Sequence, residues 1–127
     1  MAGLRTMFKR FSSECETKDD HLDEELQTHY YKTSFDKVFD EVEQLFSSSS
    51  YTISSASKEH GEIMVQKKGK PGIFIIATIL TVRPFQTAVD FKMSTDHSVI
   101  SGAYPILKKE IVSNYKGLDQ HLRRADK

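Results

Sequence analysis

Residues Ile73 to Thr95 read IFIIATILTVRPFQTAVDFKMST, and this stretch decides the fold. Two runs rich in β-branched and aromatic residues, Ile73 to Arg83 and Gln86 to Thr95, are joined through Pro84-Phe85, the pattern of a hairpin. An even loop centred on Pro84-Phe85 sets Val82 opposite Thr87. Leu80 then faces Val89, Thr78 faces Phe91 and Ile76 faces Met93, which makes one face apolar apart from Thr78 and Thr87. The other face is mixed, with Ile73, Ile75, Ala77 and Ile79 beside Asp90 and Lys92.

Upstream lie two more strand patterns. Tyr51 to Ser57 alternates weakly, and Glu62 to Lys68 sets Ile63 and Val65 on one face. Gly61 closes the short loop between them, where a left-handed backbone suits glycine. A Gly- and Pro-rich turn, Lys68 to Gly72, leads into Ile73. Helical spacing brackets the strands. Phe35, Val38, Phe39, Val42, Leu45 and Phe46 form one stripe after the capping pair Thr33-Ser34, and Ser47 to Ser50 ends it. Leu107, Ile111, Tyr115, Leu118 and Leu122 form a second, whose start Pro105 fixes near Tyr104. Gly117 inside that helix marks a close contact or an early break. The expected architecture is α+β: a four-stranded antiparallel meander with an N-terminal and a C-terminal helix on one face.

The first 27 residues read differently from the rest. Leu4, Met7, Phe8 and Phe11 recur at i, i+3, i+4 and i+7 with Arg5, Lys9 and Arg10 around them, one apolar stripe with a basic flank. Ser12 to Gln27 is acidic and reads as a linker. Residues 1–27 are thus an N-terminal arm, and residues 28–127 the single domain.

The bulk numbers narrow the function classes. With 127 residues the chain holds one core. Lys plus Arg and Asp plus Glu both count 18, so the basic excess of a nucleic-acid binder is missing. The single Cys15 gives no internal disulfide. The longest apolar run, Ile73 to Leu80, falls far short of the ~20 residues of a membrane span. Neither a signal-peptide h-region nor a myristoylation glycine stands at the N-terminus. The expected location is the cytoplasm.

Chemistry-bearing patterns are sparse. None of the five histidines, His21, His29, His60, His97 and His121, pairs with a Cys or another His at ligand spacing. Asp19, Asp20, His21 and Asp23 read as a solvated acidic stretch rather than a metal site, and neither metal nor cofactor is expected. No nucleophile elbow is present. Lys67 to Gly72 has charge for an anion but precedes a strand, so no helix dipole supports it. The least implausible polar site combines Arg83, Asp90 and His60, with Arg83 or Lys92 as the ion-pair partner of Asp90.

The segment Thr81 to Phe91, taken with Thr28-His29-Tyr30-Tyr31-Lys32, resembles a family of small uncharacterised cytosolic proteins of Gram-positive bacteria, over residues 19–122. The helix–sheet–helix order is also similar to helix-grip, lipid-binding domains, which open with a strand and contain more strands. The first resemblance implies no activity, and neither carries over a functional residue.

The reading that follows is a non-enzymatic interaction module. Under the register above, Ile73, Ile75, Ala77 and Ile79 need cover, which self-association of the sheet as a homodimer, another protein partner or the N-terminal segment folding back would supply. Two rivals stand beside it. A hydrophobic ligand or lipid could sit between helices and sheet, lined by Phe39, Phe74, Phe91 and Tyr115. Alternatively Leu4, Met7, Phe8 and Phe11 could attach the chain to a membrane surface or a partner's groove.

Overall fold

The two helices and the four strands of the meander form where their residues dictate. The computed structural model describes residues 14–95 and 103–125, so Leu4, Met7, Phe8 and Phe11 lie outside the described residues. The chain runs through β1 (Glu14–Glu16), β2 (His29–Tyr31), α1 (Phe35–Leu45), β3 (Tyr51–Ser57), β4 (Glu62–Lys67), β5 (Ile73–Arg83), β6 (Gln86–Thr95) and α2 (Tyr104–His121). The β3-β4-β5-β6 meander is antiparallel. Both helices pack on one of its faces around a single core.

Local chemistry sets the helix ends. Ser34 caps α1, its side chain accepting from the Lys37 N–H at 3.3 Å. Pro105 occupies the first turn of α2, where its missing N–H costs nothing. Gly117 marks a close approach: a Cβ there would lie 2.8 Å from Leu45 Cδ1. The two helices therefore touch backbone to side chain, which only a small residue permits.

Two short strands enlarge the meander. β1 and β2 both pair with β6, Cys15 opposite Met93 and Tyr30 opposite Ala88, so they lie end to end along one edge. This corrects the reading of residues 12–27 as a linker and of a domain beginning near residue 28. From Glu14 onward the stretch is part of the packed unit, with Cys15 and Leu26 buried in the core. A three-residue strand with one apolar residue carries too little alternation to read from sequence.

The hairpin register is also corrected. The turn is even, with Arg83 opposite Gln86 around Pro84-Phe85, but a bulge follows between Thr81 and Arg83. Phe85 has a positive φ of 56°, the pattern of a type II turn after proline. Turns of that hand splay a hairpin, and a bulge restores the local right-handed twist. The extra residue is Val82, and beyond it every side chain swaps face. Ile75 pairs with Met93, Ala77 with Phe91 and Ile79 with Val89. Ile73, Ile75, Ala77 and Ile79 are therefore core residues, all at or below 5% exposed. They meet the two helices, not a partner, and the reason given for a partner at those four positions falls away.

Candidate interaction surface

The same bulge turns the other half of β5 outward. Phe74 (47% exposed) and Leu80 (62%) point away from the helices, with Met64 of β4 (40%) in the same layer. Ile76 is half-buried between Met64 and Lys92, its cross-strand neighbours. Val82 and Phe85 extend the exposed apolar surface toward the β5–β6 turn. Scattered apolar residues on a surface need no explanation, but neighbours in adjacent strands do.

Acids surround this apolar layer. At the outward positions of β1, β4 and β6 stand Glu14, Glu16, Glu62 and Asp90, against the base Lys92. Lys92 Nζ lies 3.8 Å from Glu14 Oε2. Asp90 Oδ1 accepts from the hydroxyls of Thr17 at 2.7 Å and Thr28 at 2.6 Å. The face is thus apolar in the middle and acidic in its flanks.

The sequence-predicted polar residues do not converge. Asp90 is held by the two threonines rather than by Arg83 or Lys92. His60 sits in the β3–β4 turn, its Nδ1 3.0 Å from Ser57 Oγ. Arg83 flanks the β5–β6 turn opposite Gln86. The acidic stretch also has other work. Asp19 Oδ1 accepts from Tyr30 Oη at 2.6 Å, and Asp23 caps the 3-10 turn Glu24–Leu26 while pairing with Lys108 at 2.6 Å. Among the described residues no group of three His, Cys, Asp or Glu could hold a metal ion.

Sequence reasoning missed two polar clusters. In the first, His29 stacks on Tyr115, and its Nδ1 lies 3.1 Å from Asp119 Oδ1. Tyr31 Oη donates to the same carboxylate oxygen at 2.7 Å. Arg124 Nη1 lies 3.4 Å from His29 Nε2. Burial, followed by the Asp119 carboxylate, pushes the Tyr31 hydroxyl far above its ordinary range and keeps it a donor. A cleft of about 190 Å³ opens beside His29, Tyr115 and Asp119, yet both imidazole nitrogens are already engaged. The cluster ties the chain end to β2, where Lys32 N–H donates to Arg123 O and Ala125 N–H to Tyr30 O, each at 2.8 Å.

The second cluster centres on Glu110, a buried carboxylate of α2. Lys67 Nζ lies 2.5 Å from Glu110 Oε1, and Tyr51 Oη donates to Oε2 at 2.5 Å. Burial, then the Glu110 carboxylate, raise the Tyr51 hydroxyl above its ordinary range. Spacing could not have revealed either cluster, because Lys67 lies 43 residues from Glu110 and His29 lies 90 from Asp119.

The proposed ligand lining is divided between two faces. Phe39, Phe91 and Tyr115 are packed in the core, whereas Phe74 projects from the opposite side of the sheet. The four rings therefore line no common cavity. Among the described residues no helix is long and apolar enough to cross a membrane.

What the fold and its surface define is a two-layer α+β unit whose sheet has one helix-covered face and one face that is open among the described residues. Compared with known proteins, the chain matches no family model and no curated protein.

Proposed function

We propose that the protein is a non-enzymatic interaction module that receives a basic amphipathic helix on the open face of its sheet. One observation carries this reading: Met64, Phe74, Ile76 and Leu80 form an exposed apolar layer flanked by Glu14, Glu16, Glu62 and Asp90. A helix with an apolar stripe would cover the middle, and lysines or arginines beside that stripe would meet the acids. A second copy of the same face fits less well, because its acids would oppose acids. The polar clusters support a binding role by their closure, since His29, Asp119, Glu110 and Asp90 are each engaged by neighbouring side chains.

The test is fluorescence anisotropy with a labelled peptide of leucines and lysines at helical spacing, titrated with the full chain. Binding that is lost in Phe74→Glu/Leu80→Glu, with the far-UV spectrum unchanged, is the expected result. Equal binding by wild type and variant, or none by either, overturns the proposal. Light scattering on the same samples reads out the self-associating alternative.

A further inference from the structure

We infer that strand β3, at the far edge of the sheet, pairs antiparallel with β3 of a second copy and joins the two sheets into one. This concerns the edge of the sheet rather than its open face, and it stands independently of the docking reading above. The two edges are unlike. At one, β1 is three residues long and carries Glu14 and Glu16. The chain end runs along β2, where Arg124 bridges to Tyr31 and Ala125 N–H donates to Tyr30 O at 2.8 Å. Short strands, charges and a covering segment are the means that keep an edge from pairing. At the other edge, β3 pairs with β4 alone among the described residues. Its seven residues, YTISSAS, include no charge and no proline. A bulge between Ile53 and Ser55 is its one interruption. The outward N–H and C=O groups of such a strand are a template for another.

The core is also unfinished at this edge. Ile53 and Ala56 lie opposite Val65 and Ile63, both core residues. Tyr51 meets Phe46 edge-on, with 5.0 Å between ring centroids. All three therefore face the helices, yet Tyr51 and Ile53 are only half-buried and Ala56 is exposed. Phe35 and Leu45 of α1 are half-buried too, packed against the core without being closed into it. A strand added beyond β3 would set its own inward side chains beside Tyr51 and Ile53 and extend their cover.

The occupant that fits is β3 itself. The added strand needs apolar side chains toward the helices and small polar ones toward the open face. β3 has that pattern, with Tyr51, Ile53 and Ala56 inward and Thr52, Ser55 and Ser57 outward, opposite Gln66, Met64 and Glu62. A two-fold axis perpendicular to the sheet pairs antiparallel copies so that inward residues meet inward residues. No residue of β3 brings a like charge to its counterpart. Beyond the strand's end, the α1 acids Asp36 and Asp40 are countered by Lys58 at 3.7 and 3.4 Å. The same axis keeps the two open faces on one side of the joined sheet, clear of the contact.

Two readouts on the full chain test this. Sedimentation equilibrium between about 1 µM and about 1 mM, the affinity range of a small interface, reads the assembly state. A doubling of mass with concentration is expected for wild type. Thr52→Lys/Ser55→Lys sets like charges along the edge at two exposed positions and is expected to weaken the dimer at least about tenfold, with the far-UV spectrum unchanged. Amide hydrogen exchange reads the edge in the unaltered chain. The β3 amides not already bonded to β4 are expected to exchange about tenfold more slowly when nine-tenths of the chain is paired. A chain that stays monomeric throughout overturns the proposal. So does a dimer that the lysine variant leaves intact, and so does one lost instead in Phe74→Glu/Leu80→Glu, which assigns the contact to the open face. If the lysine variant fails to fold, exchange in wild type decides, and β3 amides indifferent to concentration rule the pairing out.

Discussion

The imidazole of His29 lies flat on the phenol ring of Tyr115, with 3.6 Å between ring centroids and 8° between planes. This stack orients Nδ1 toward Asp119, which also takes the Tyr31 hydroxyl. Burial raises the Asp119 carboxyl, but the hydrogen bonds from His29 and Tyr31, with the charges of His29 and Arg124, outweigh it and hold the group below its ordinary 3.8. A carboxyl depressed by folding stabilises the native state above the unfolded value, and that contribution is lost as pH falls through the lower folded value. Stability is therefore expected to drop more steeply below pH 3.8 in wild type than in Asp119→Asn. At neutral pH the variant is less stable by about 1 kcal/mol, discounted because the carboxylate is partly exposed. Urea melts across that pH range measure both effects, and parallel acid limbs for the two proteins would count against the network.

Adjacent residues of β5 face opposite ways, which gives a direct test of the register. Ile75 is 1% exposed beneath the helices, whereas Ile76 sits on the open face. Ile75→Ala is expected to cost about 3 kcal/mol, the cavity penalty of a packed core. Ile76→Ala is expected to cost under about 1 kcal/mol. Chemical denaturation separates the two. Equal costs, or the reverse order, would return the hairpin to the bulge-free register.

Much of this fold was legible in the sequence because its long elements are strongly periodic. The stripes Phe35 to Phe46 and Leu107 to Leu122 give both helices, and Gly61 and Pro84-Phe85 give the turns. The bulge at Val82 was not legible, since nothing in TVRPF distinguishes a strand residue from an unpaired one. That single residue decides which face of β5 is core, so the open face was assigned to the wrong set of isoleucines. β1 escaped notice for a related reason: with Glu14 and Glu16 outward, only Cys15 signals burial. The clusters around His29 and Glu110 depend on contacts across most of the chain, which local spacing cannot encode.

Gly61 is held where no other residue fits. Its φ is 67°, and a Cβ would lie 2.3 Å from the carbonyl oxygen of Ile79. That carbonyl belongs to β5, whose Ile79 N–H donates to Gly61 O at 2.7 Å, so neither backbone can retreat without losing a hydrogen bond. Gly61→Ala is expected to destabilise by about 3 kcal/mol, combining left-handed strain with overpacking. The contrast is Gly117→Ala, where the obstacle is the mobile end of Leu45. There the ~1 kcal/mol gained in helix propensity offsets the shift of the leucine, so thermal melts should find Gly117→Ala near wild type.

Glu110 tests the second cluster. Its carboxylate is 7% exposed and lies against Lys67, whose side chain is 32% exposed. Removing the cation leaves a buried charge with the Tyr51 hydroxyl as its remaining bonded neighbour among the described residues. Lys67→Met is expected to cost about 2 kcal/mol, less than a fully buried pair because water reaches the lysine. Lys67→Met/Glu110→Leu is expected to recover most of that loss, since deleting both charges removes the desolvation penalty with them. A double variant no more stable than the single one, by equilibrium unfolding, would show that Glu110 does not carry the cost.

Cys15 reports whether β1 stays on the sheet. Its thiol is 3% exposed opposite Met93. Burial, then the nearby charge of Asp23, raise it from 9.0 to about 11. At pH 7 roughly one thiol in ten thousand is ionised, and the thiolate is the reactive form. An aromatic disulfide reagent is therefore expected to modify the native chain at least about a hundredfold more slowly than the denatured chain. What labelling does occur must pass through local opening, so its rate measures the free energy of lifting β1 from β6. Replacing Thr17 by Val removes the hydroxyl that binds Asp90 and accepts from Phe91 N–H. That loosens the end of β1 and should speed labelling by about tenfold, one hydrogen bond's worth. Native labelling at the denatured rate would place Cys15 outside the core and detach β1 from β6.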